Sequence, residues 1–138
     1  MFEKTERVRF GHCDPAGIVF FPRYFEMLNA LIEDWFTDGL GIDYAQLIDT
    51  RRTGLPSVRL VADFQRISRI GDVLSQSIAI RKLGRTSLTL DVLFDGADGT
   101  RVAFEQVLVC TSLDTHRPIP FPDDVRAALE RAAGGIQP

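Results

Sequence analysis

The sequence predicts an α+β domain in which one antiparallel sheet curls around one long helix. Apolar residues recur at helical spacing from Tyr24 to Phe36, and beyond Gly54 the period changes to two and holds through four long segments. The length agrees, since 138 residues suit one domain able to bury a core without disulfides. With no repeat, low-complexity tract or linker-like stretch, residues 1–138 are expected to form a single unit.

The elements follow in order. A short mixed strand is expected over Thr5 to Phe10, followed by a loop, Gly11-His12-Cys13-Asp14-Pro15-Ala16-Gly17, punctuated by glycine and proline. Pro22 suits the first position of a helix, where its missing N–H costs nothing. Tyr24, Met27, Leu28, Leu31, Ile32, Trp35 and Phe36 then form a wide apolar stripe, which Gly39 or Gly41 closes. Asp43 can cap a second short helix through Tyr44, Leu47 and Ile48. Val58, Leu60, Ala62 and Phe64 alternate with polar residues as a half-buried strand, and Gly71-Asp72 marks a turn before a strand from Val73 to Arg81. Leu88 to Phe94 and Val102 to Cys110 alternate on either side of the hairpin loop Asp95-Gly96-Ala97-Asp98-Gly99. Pro118, Pro120 and Pro122 end the sheet, and Asp123-Asp124 open a last helix with Val125, Ala128, Leu129 and Ala132 on one side. Consecutive strands joined by short connections are antiparallel. A sheet covered on one face with open edges calls for a partner, so an oligomer is expected.

Composition excludes several classes. Sixteen basic against nineteen acidic residues give a net charge of −3, which offers nucleic acid no global attraction. No apolar run approaches the roughly 20 residues of a membrane span, and the charged start lacks a signal-peptide core, so a cytoplasmic protein is expected. Cys13 and Cys110 are too few for a disulfide framework and too isolated for a metal site, and none is expected.

The loop before the long helix carries the chemistry. Asp14 beside Pro15 and Gly17 reads equally as an ordinary turn residue and as a functional carboxylate. Phe21 precedes Pro22, which places its backbone N–H at a helix mouth without an intrahelical acceptor and with the helix dipole behind it. A carboxylate near such an oxyanion donor is the minimum equipment for acyl-transfer hydrolysis. His12 reads as an assistant to Asp14 or as a solvated imidazole. Cys13 would need activation by His12, yet adjacent residues in an extended loop point opposite ways. Arg81, Lys82 and Arg85 cluster at a turn in an otherwise acidic chain, either as a soluble turn or as a phosphate clamp.

The run Asp14-Pro15-Ala16-Gly17-Ile18-Val19-Phe20-Phe21-Pro22-Arg23-Tyr24 resembles the signature of the 4-hydroxybenzoyl-CoA thioesterase family, and the resemblance continues through Gly54-Leu55-Pro56-Ser57-Val58, Gly71-Asp72 and Arg85-Thr86-Ser87. It implies the hotdog fold, a five-stranded antiparallel sheet wrapped around one long helix. It implies an acyl-CoA thioesterase acting on an aryl or other compact acyl group, with Asp14 as nucleophile or general base and the Phe21 N–H polarising the thioester carbonyl. His12, Gly17, Phe20, Asn29, Arg81, Lys82, Arg85 and Ser87 are the substrate-binding candidates, with Arg85 aligned to the basic segment that holds the CoA nucleotide. No cofactor is implied beyond the coenzyme A of the substrate, and a homodimer or homotetramer with active sites between subunits is expected. Phe20-Phe21 stands where the hydroxybenzoyl enzyme has a Trp-Tyr pair, and this more apolar lining favours benzoyl or other apolar acyl groups. Asn29 falls where relatives can carry a carboxylate. Two alternatives remain: a hotdog hydratase or dehydratase, for which His12 is the only internal candidate, and a non-catalytic thioester-binding domain, which would not need Asp14.

Overall fold

In a computed structural model, which describes residues 1–134, the chain runs β1 (Phe2–Arg7), α1 (Pro22–Asp34), α2 (Tyr44–Asp49), β2 (Thr53–Gly54), β3 (Ser57–Phe64), β4 (Val73–Leu83), β5 (Ser87–Gly96), β6 (Gly99–Val109), β7 (Thr111–Ser112) and α3 (Asp123–Gly134). Five strands form one antiparallel sheet in the order β1-β4-β5-β6-β3, wrapped on α1. This is the hotdog arrangement that the resemblance implies.

The apolar stripe of α1 sets the core. Tyr24, Met27, Leu28, Leu31 and Ile32 are all buried, and the helix continues through a wider π-helical segment, Trp35–Leu40, that buries Trp35, Phe36 and Leu40. Gly41, at φ 73°, ends it, the left-handed conformation that glycine adopts without strain. Opposite lie the inward positions of the sheet: Leu74 and Ile78 of β4, Leu88, Leu90, Val92 and Phe94 of β5, and Val102, Phe104 and Leu108 of β6. The Phe94 ring meets Phe104 at 5.1 Å and Tyr24 at 6.2 Å between centroids. The predicted second helix forms, with the Asp43 carboxylate accepting from the Gln46 N–H at 3.2 Å. The hairpin closes at Gly96 opposite Gly99.

Four expectations are corrected. The first strand is Phe2–Arg7 rather than Thr5 to Phe10, because its ladder with β4 runs from Phe2 opposite Ile78 to Arg7 opposite Val73; Phe10 stands exposed in a tight turn beyond it. The strand holding Val58, Leu60 and Phe64 is not half-buried. As β3 it is an edge strand with β6 its only neighbour in the sheet, and all three side chains are exposed. Nor do β3 and β4 form a tight antiparallel pair. They lie three places apart in the sheet, so residues 65–72 form a crossover past the ends of β6 and β5. Finally, Ala132 faces outward on α3 while Val125, Ala128 and Leu129 are buried. The two-residue ladder between β2 and β7 carries too little sequence pattern to be foreseen.

The crossover is held by a buried cation. Arg101, at the start of β6, is 6% exposed, and its Nη1 donates to Ile67 O at 3.1 Å, Ser68 Oγ at 3.1 Å and Asp72 Oδ2 at 2.8 Å. Its Nε donates to Asp98 Oδ1 at 2.9 Å. A Cβ at Gly96 would collide with this guanidinium, so glycine is required there for the close approach. Ser68 Oγ also accepts from the Tyr24 hydroxyl of α1 at 2.9 Å. Asp72 further accepts from the Arg69 N–H at 2.9 Å, and this bond together with Arg101 holds its carboxyl below the usual range.

Two outcomes follow from this mooring. Arg101→Met should lower the unfolding free energy by about 3 kcal/mol, because it strips Ser68, Ile67 and Asp72 of their donor, a loss that urea unfolding would register. A carboxyl whose pKa is lower in the folded state adds stability above its unfolded value and loses it as pH falls through the folded one. Stability should therefore drop on acidification below roughly pH 4, and Asp72→Asn should flatten that part of the curve; an unchanged slope would contradict the role given to Asp72.

Candidate active site

The loop from Phe10 to Phe21 folds on itself as two facing arms. His12 and Cys13 close a 3₁₀ turn with N–H donations to Arg9 O at 2.9 Å and Phe10 O at 3.0 Å. The arms then pair: Asp14 N–H donates to Ile18 O at 3.0 Å, Phe20 N–H donates to His12 O at 2.9 Å, and Cys13 bridges Val19. Gly17, at φ 80°, turns the tip between them. The crossover anchors the far arm, with Val19 N–H donating to Ser68 O at 2.9 Å and Ile70 N–H to Gly17 O at 3.3 Å. The chain of contacts thus runs from Arg101 through Ser68 to the Asp14 loop.

Asp14 is half-buried. Its Oδ1 accepts the Ala16 N–H at 2.9 Å, a local turn bond, and among the described residues no donor reaches Oδ2. At the mouth of α1, Pro22 has no N–H, Arg23 N–H donates to Phe20 O at 2.8 Å, and Tyr24 N–H donates to Phe21 O at 3.1 Å. The Phe21 N–H has no acceptor among the described residues, which leaves it as the free donor at the positive end of the helix. Phe21 lines a groove of about 250 Å³ together with Val19, Tyr24, Phe64, Gln65, Arg66 and Ile67. The exposed Phe20 and Phe21 rings border this mouth, 5.8 Å apart, and Phe21 meets Phe64 edge-on at 6.1 Å.

His12 sits beside this mouth with its Nδ1 accepting the Arg9 N–H at 2.9 Å, which leaves Nε2 as the uncommitted ring nitrogen. Partial burial and the Asp14 charge push the Cys13 thiol pKa up, which disfavours the thiolate a nucleophile needs. Cys110 lies in the core, its thiol raised to about 11 by burial. Among the described residues no three His, Cys, Asp or Glu side chains come close enough to hold a metal ion.

The remaining candidates lie elsewhere. The Asp14 loop bridges Arg69, just before β4 starts, whereas Arg85 follows the end of β4 at Leu83. Asp14 and Arg85 therefore occupy opposite ends of the sheet within one chain. Arg81 is drawn into a ladder of charges, with its Nε on Asp91 Oδ2 at 3.0 Å and its Nη1 on Glu105 Oε2 at 3.1 Å. Lys82 and Arg85 are exposed and form no ion pair among the described residues. Ser87 is half-buried in the same turn, its carbonyl accepting from the Gly84 N–H at 2.8 Å. Asn29 is exposed on α1, bordering a second cavity of about 300 Å³ that it shares with Ser57 and Gln106. In the β3–β6 ladder Ser57 lies opposite Leu108 and Phe64 opposite Val102, so this cavity and the Phe21 groove stand at opposite ends of the same strand pair.

Several contributors escape the sequence reading. Arg101 follows a hairpin glycine and reads as a solvent-facing charge, and Ser68 reads as a loop residue. Gln106 left a trace, because it is the polar member of the inward register between Phe104 and Leu108.

The model of the thioesterase-like superfamily matches residues 8–129. Over 83 residues, 59% of this chain, the sequence is 35% identical to a 4-hydroxybenzoyl-CoA thioesterase of Pseudomonas sp. (strain CBS-3), and the match spans 59% of that protein's length. It is 25% identical over 127 residues to a 1,4-dihydroxy-2-naphthoyl-CoA hydrolase of Synechococcus elongatus, covering 91% of this chain and 93% of the relative. A solved gentisyl-coenzyme A thioesterase superposes with a TM-score of 0.83 at 28% identity, covering 92% of this chain and 98% of that one. The chain belongs to the thioesterase-like superfamily.

Proposed function

We propose that the protein is an acyl-CoA thioesterase that releases a free acid and CoA from an aryl or other compact acyl thioester. The observation that carries this reading is the free Phe21 N–H at the α1 mouth, at the end of the loop that carries Asp14 with one uncommitted oxygen. The Phe21 N–H, backed by the helix dipole, stabilises the oxyanion that forms when the thioester carbonyl is attacked. Asp14 acts on the same carbon by one of two routes. It attacks directly, expelling the CoA thiolate and forming a mixed anhydride that water cleaves. Alternatively it takes a proton from water, hydroxide adds to the carbonyl, and the collapsing tetrahedral intermediate expels the thiolate, which takes up the proton.

The working unit is proposed to be a homodimer, alone or doubled into a tetramer. The β3 edge presents exposed Val58, Leu60, Val61 and Phe64, continuous with exposed Phe21 at the helix mouth, a long apolar edge that a monomer does not leave open. Antiparallel pairing of β3 with its own copy reverses one sheet relative to the other. That reversal brings the partner's Arg85 to the sheet end that carries Asp14, where it would hold a CoA phosphate. The relatives' names support the substrate class: hydroxybenzoyl, dihydroxynaphthoyl and gentisyl thioesters are all aryl-CoA substrates of those proteins.

Free-thiol release from a panel of acyl-CoAs tests the reaction. Asp14→Asn should lower kcat by at least ~100-fold, the lower end of what a general base or nucleophile contributes, with little change in substrate affinity. A wild-type rate in Asp14→Asn would return the carboxylate to an ordinary turn. Single turnover in ¹⁸O-water separates the routes, since label reaches the Asp14 carboxylate only through the anhydride.

Arg85→Ala should raise KM far more than it lowers kcat, because a phosphate contact acts equally in ground and transition states. Co-refolding Asp14→Asn with Arg85→Ala at limiting substrate should give more activity than either variant alone, because the mixed dimer regains one intact site. Activity no higher than the mean of the two would place both residues in one chain's site.

A further inference from the structure

Besides the β3 edge, exposed apolar side chains gather at a second place. Phe10 is 83% exposed in the turn after β1, Ile70 is 52% exposed in the crossover, and Val73 is 54% exposed at the start of β4. Three arginines stand among them. Arg7 lies opposite Val73 in the β1–β4 ladder, on the outer face, since the next residue, Leu74, is buried. Arg9 precedes Phe10, and its carbonyl accepts the His12 N–H; Arg69 precedes Ile70 and bridges Ile18. Arg9 and Arg69 therefore flank the two arms of the Asp14 loop. All three arginines are exposed, and none forms an ion pair among the described residues. Asp72 and Asp98 are held by Arg101, Asp95 accepts from the Thr100 hydroxyl, and Glu6 lies on the inner face of β1, opposite Leu74. In a chain of net charge −3, this is a local excess of positive charge.

We propose that this patch docks a small acidic protein that carries an acyl thioester on a phosphopantetheine arm. The inference rests on the thioesterase reading and gives its substrate a second carrier. The thiol arm of coenzyme A is also the prosthetic arm of acyl carrier proteins, so the same thioester can reach Asp14 from either body. Water adds to the thioester, the C–S bond breaks, and the products are the free acid and the carrier thiol. The patch lies on the β1–β4 side of the sheet, three and four places from β3, so pairing through β3 leaves it open. Its composition is that of a protein interface, arginines around apolar anchors with no lysine among them. A nucleotide phosphate needs converging donors and gains nothing from exposed Phe10, Ile70 and Val73. None of these six residues lines the cavities described above, which suits a broad partner rather than an enclosed small molecule. An anionic bilayer matches the charge but has no thioester arm to present at the loop that the arginines flank. An acidic carrier matches both, and charge complementarity of this kind speeds encounter and fixes orientation.

The test loads one acyl group, the best of the CoA panel, onto CoA and onto a bacterial acyl carrier protein, and compares kcat/KM for wild type and the double variant Arg9→Glu/Arg69→Glu. The wild type should hydrolyse the carrier-bound thioester. The double variant should lose about ten-fold or more on the carrier, mainly through KM, and stay within about two-fold on CoA. The loss should shrink at about 0.5 M salt, as a contact between exposed charges does. Phe10→Ser should also slow the carrier reaction selectively. Wild type that leaves the carrier-bound thioester intact, or a double variant that slows both substrates equally, would overturn the docking surface while leaving the thioesterase reading intact. Unchanged carrier kinetics in a double variant that has lost wild-type binding to phosphatidylglycerol vesicles would assign the patch to lipid instead and equally overturn the proposal. If the charge reversal does not fold, Arg9→Gln/Arg69→Gln decides on the same ratio of carrier to CoA: a fall supports the docking surface, and an unchanged ratio refutes it. Hydrolysis of no thioester on either carrier would remove the thioesterase reading itself, and the inference with it.

Discussion

The buried guanidinium of Arg101 is the interaction on which the geometry of the candidate site depends. A chain that leaves the sheet at its β3 edge and re-enters it at β4 must carry residues 65–72 past two strand ends, where no ladder satisfies its backbone. Arg101 answers that need with one planar fork of donors aimed at Ile67 O, Ser68 Oγ and Asp72. From Ser68 the constraint passes two ways, through the Tyr24 hydroxyl into α1 and through the Ser68 carbonyl to Val19 in the Asp14 loop. One cation thereby fixes the helix whose mouth carries the free Phe21 N–H relative to the loop that carries Asp14. Buried ion pairs seldom outperform apolar packing in stability. What this one gives in return is position, because it ties the crossover to the β5–β6 hairpin and, through Ser68, to α1 and the Asp14 loop.

That dependence explains which features could be read from the sequence. The stripe of α1 and the alternation of β5 and β6 are legible because a period reports which face is apolar, whatever the neighbour is. Phe21 is legible for a similar reason, since Pro22 fixes the helix start and so defines which N–H lacks an acceptor. Strand order is not local. Val58, Leu60, Ala62 and Phe64 show the same alternation whether the covering neighbour belongs to this chain or to another, so the exposed edge reads as half-buried. The crossover reads as a turn because Gly71-Asp72 is turn chemistry, and only the position of β3 beside β6 reveals its real path. Arg101 is illegible for a deeper reason: a charge beside a hairpin glycine is ordinarily solvated, and its burial follows from that same crossover.

The placement of candidates at opposite ends of the sheet bears on how such a site can work. Within one chain Asp14 and the free Phe21 N–H lie at the Phe64 end of β3, whereas Lys82, Arg85 and the cavity lined by Gln106 lie at the other. Inversion of one copy against the other is the simple operation that unites them, and an edge strand that pairs with itself supplies that inversion without further design. In the proposed dimer the exposed apolar residues of β3 have two capacities. They remove an edge that would otherwise invite aggregation, and they set the alignment of two half-sites.

Gln106 shows why a core position can run against the pattern around it. It occupies an inward register of β6, between the apolar Phe104 and Leu108, and Gln76 stands in the same way between Leu74 and Ile78 on β4. An aliphatic residue there would continue the pattern and leave no amide oxygen to desolvate, a difference on the order of 1–3 kcal/mol in favour of the apolar choice. Folding alone therefore disfavours glutamine at this place.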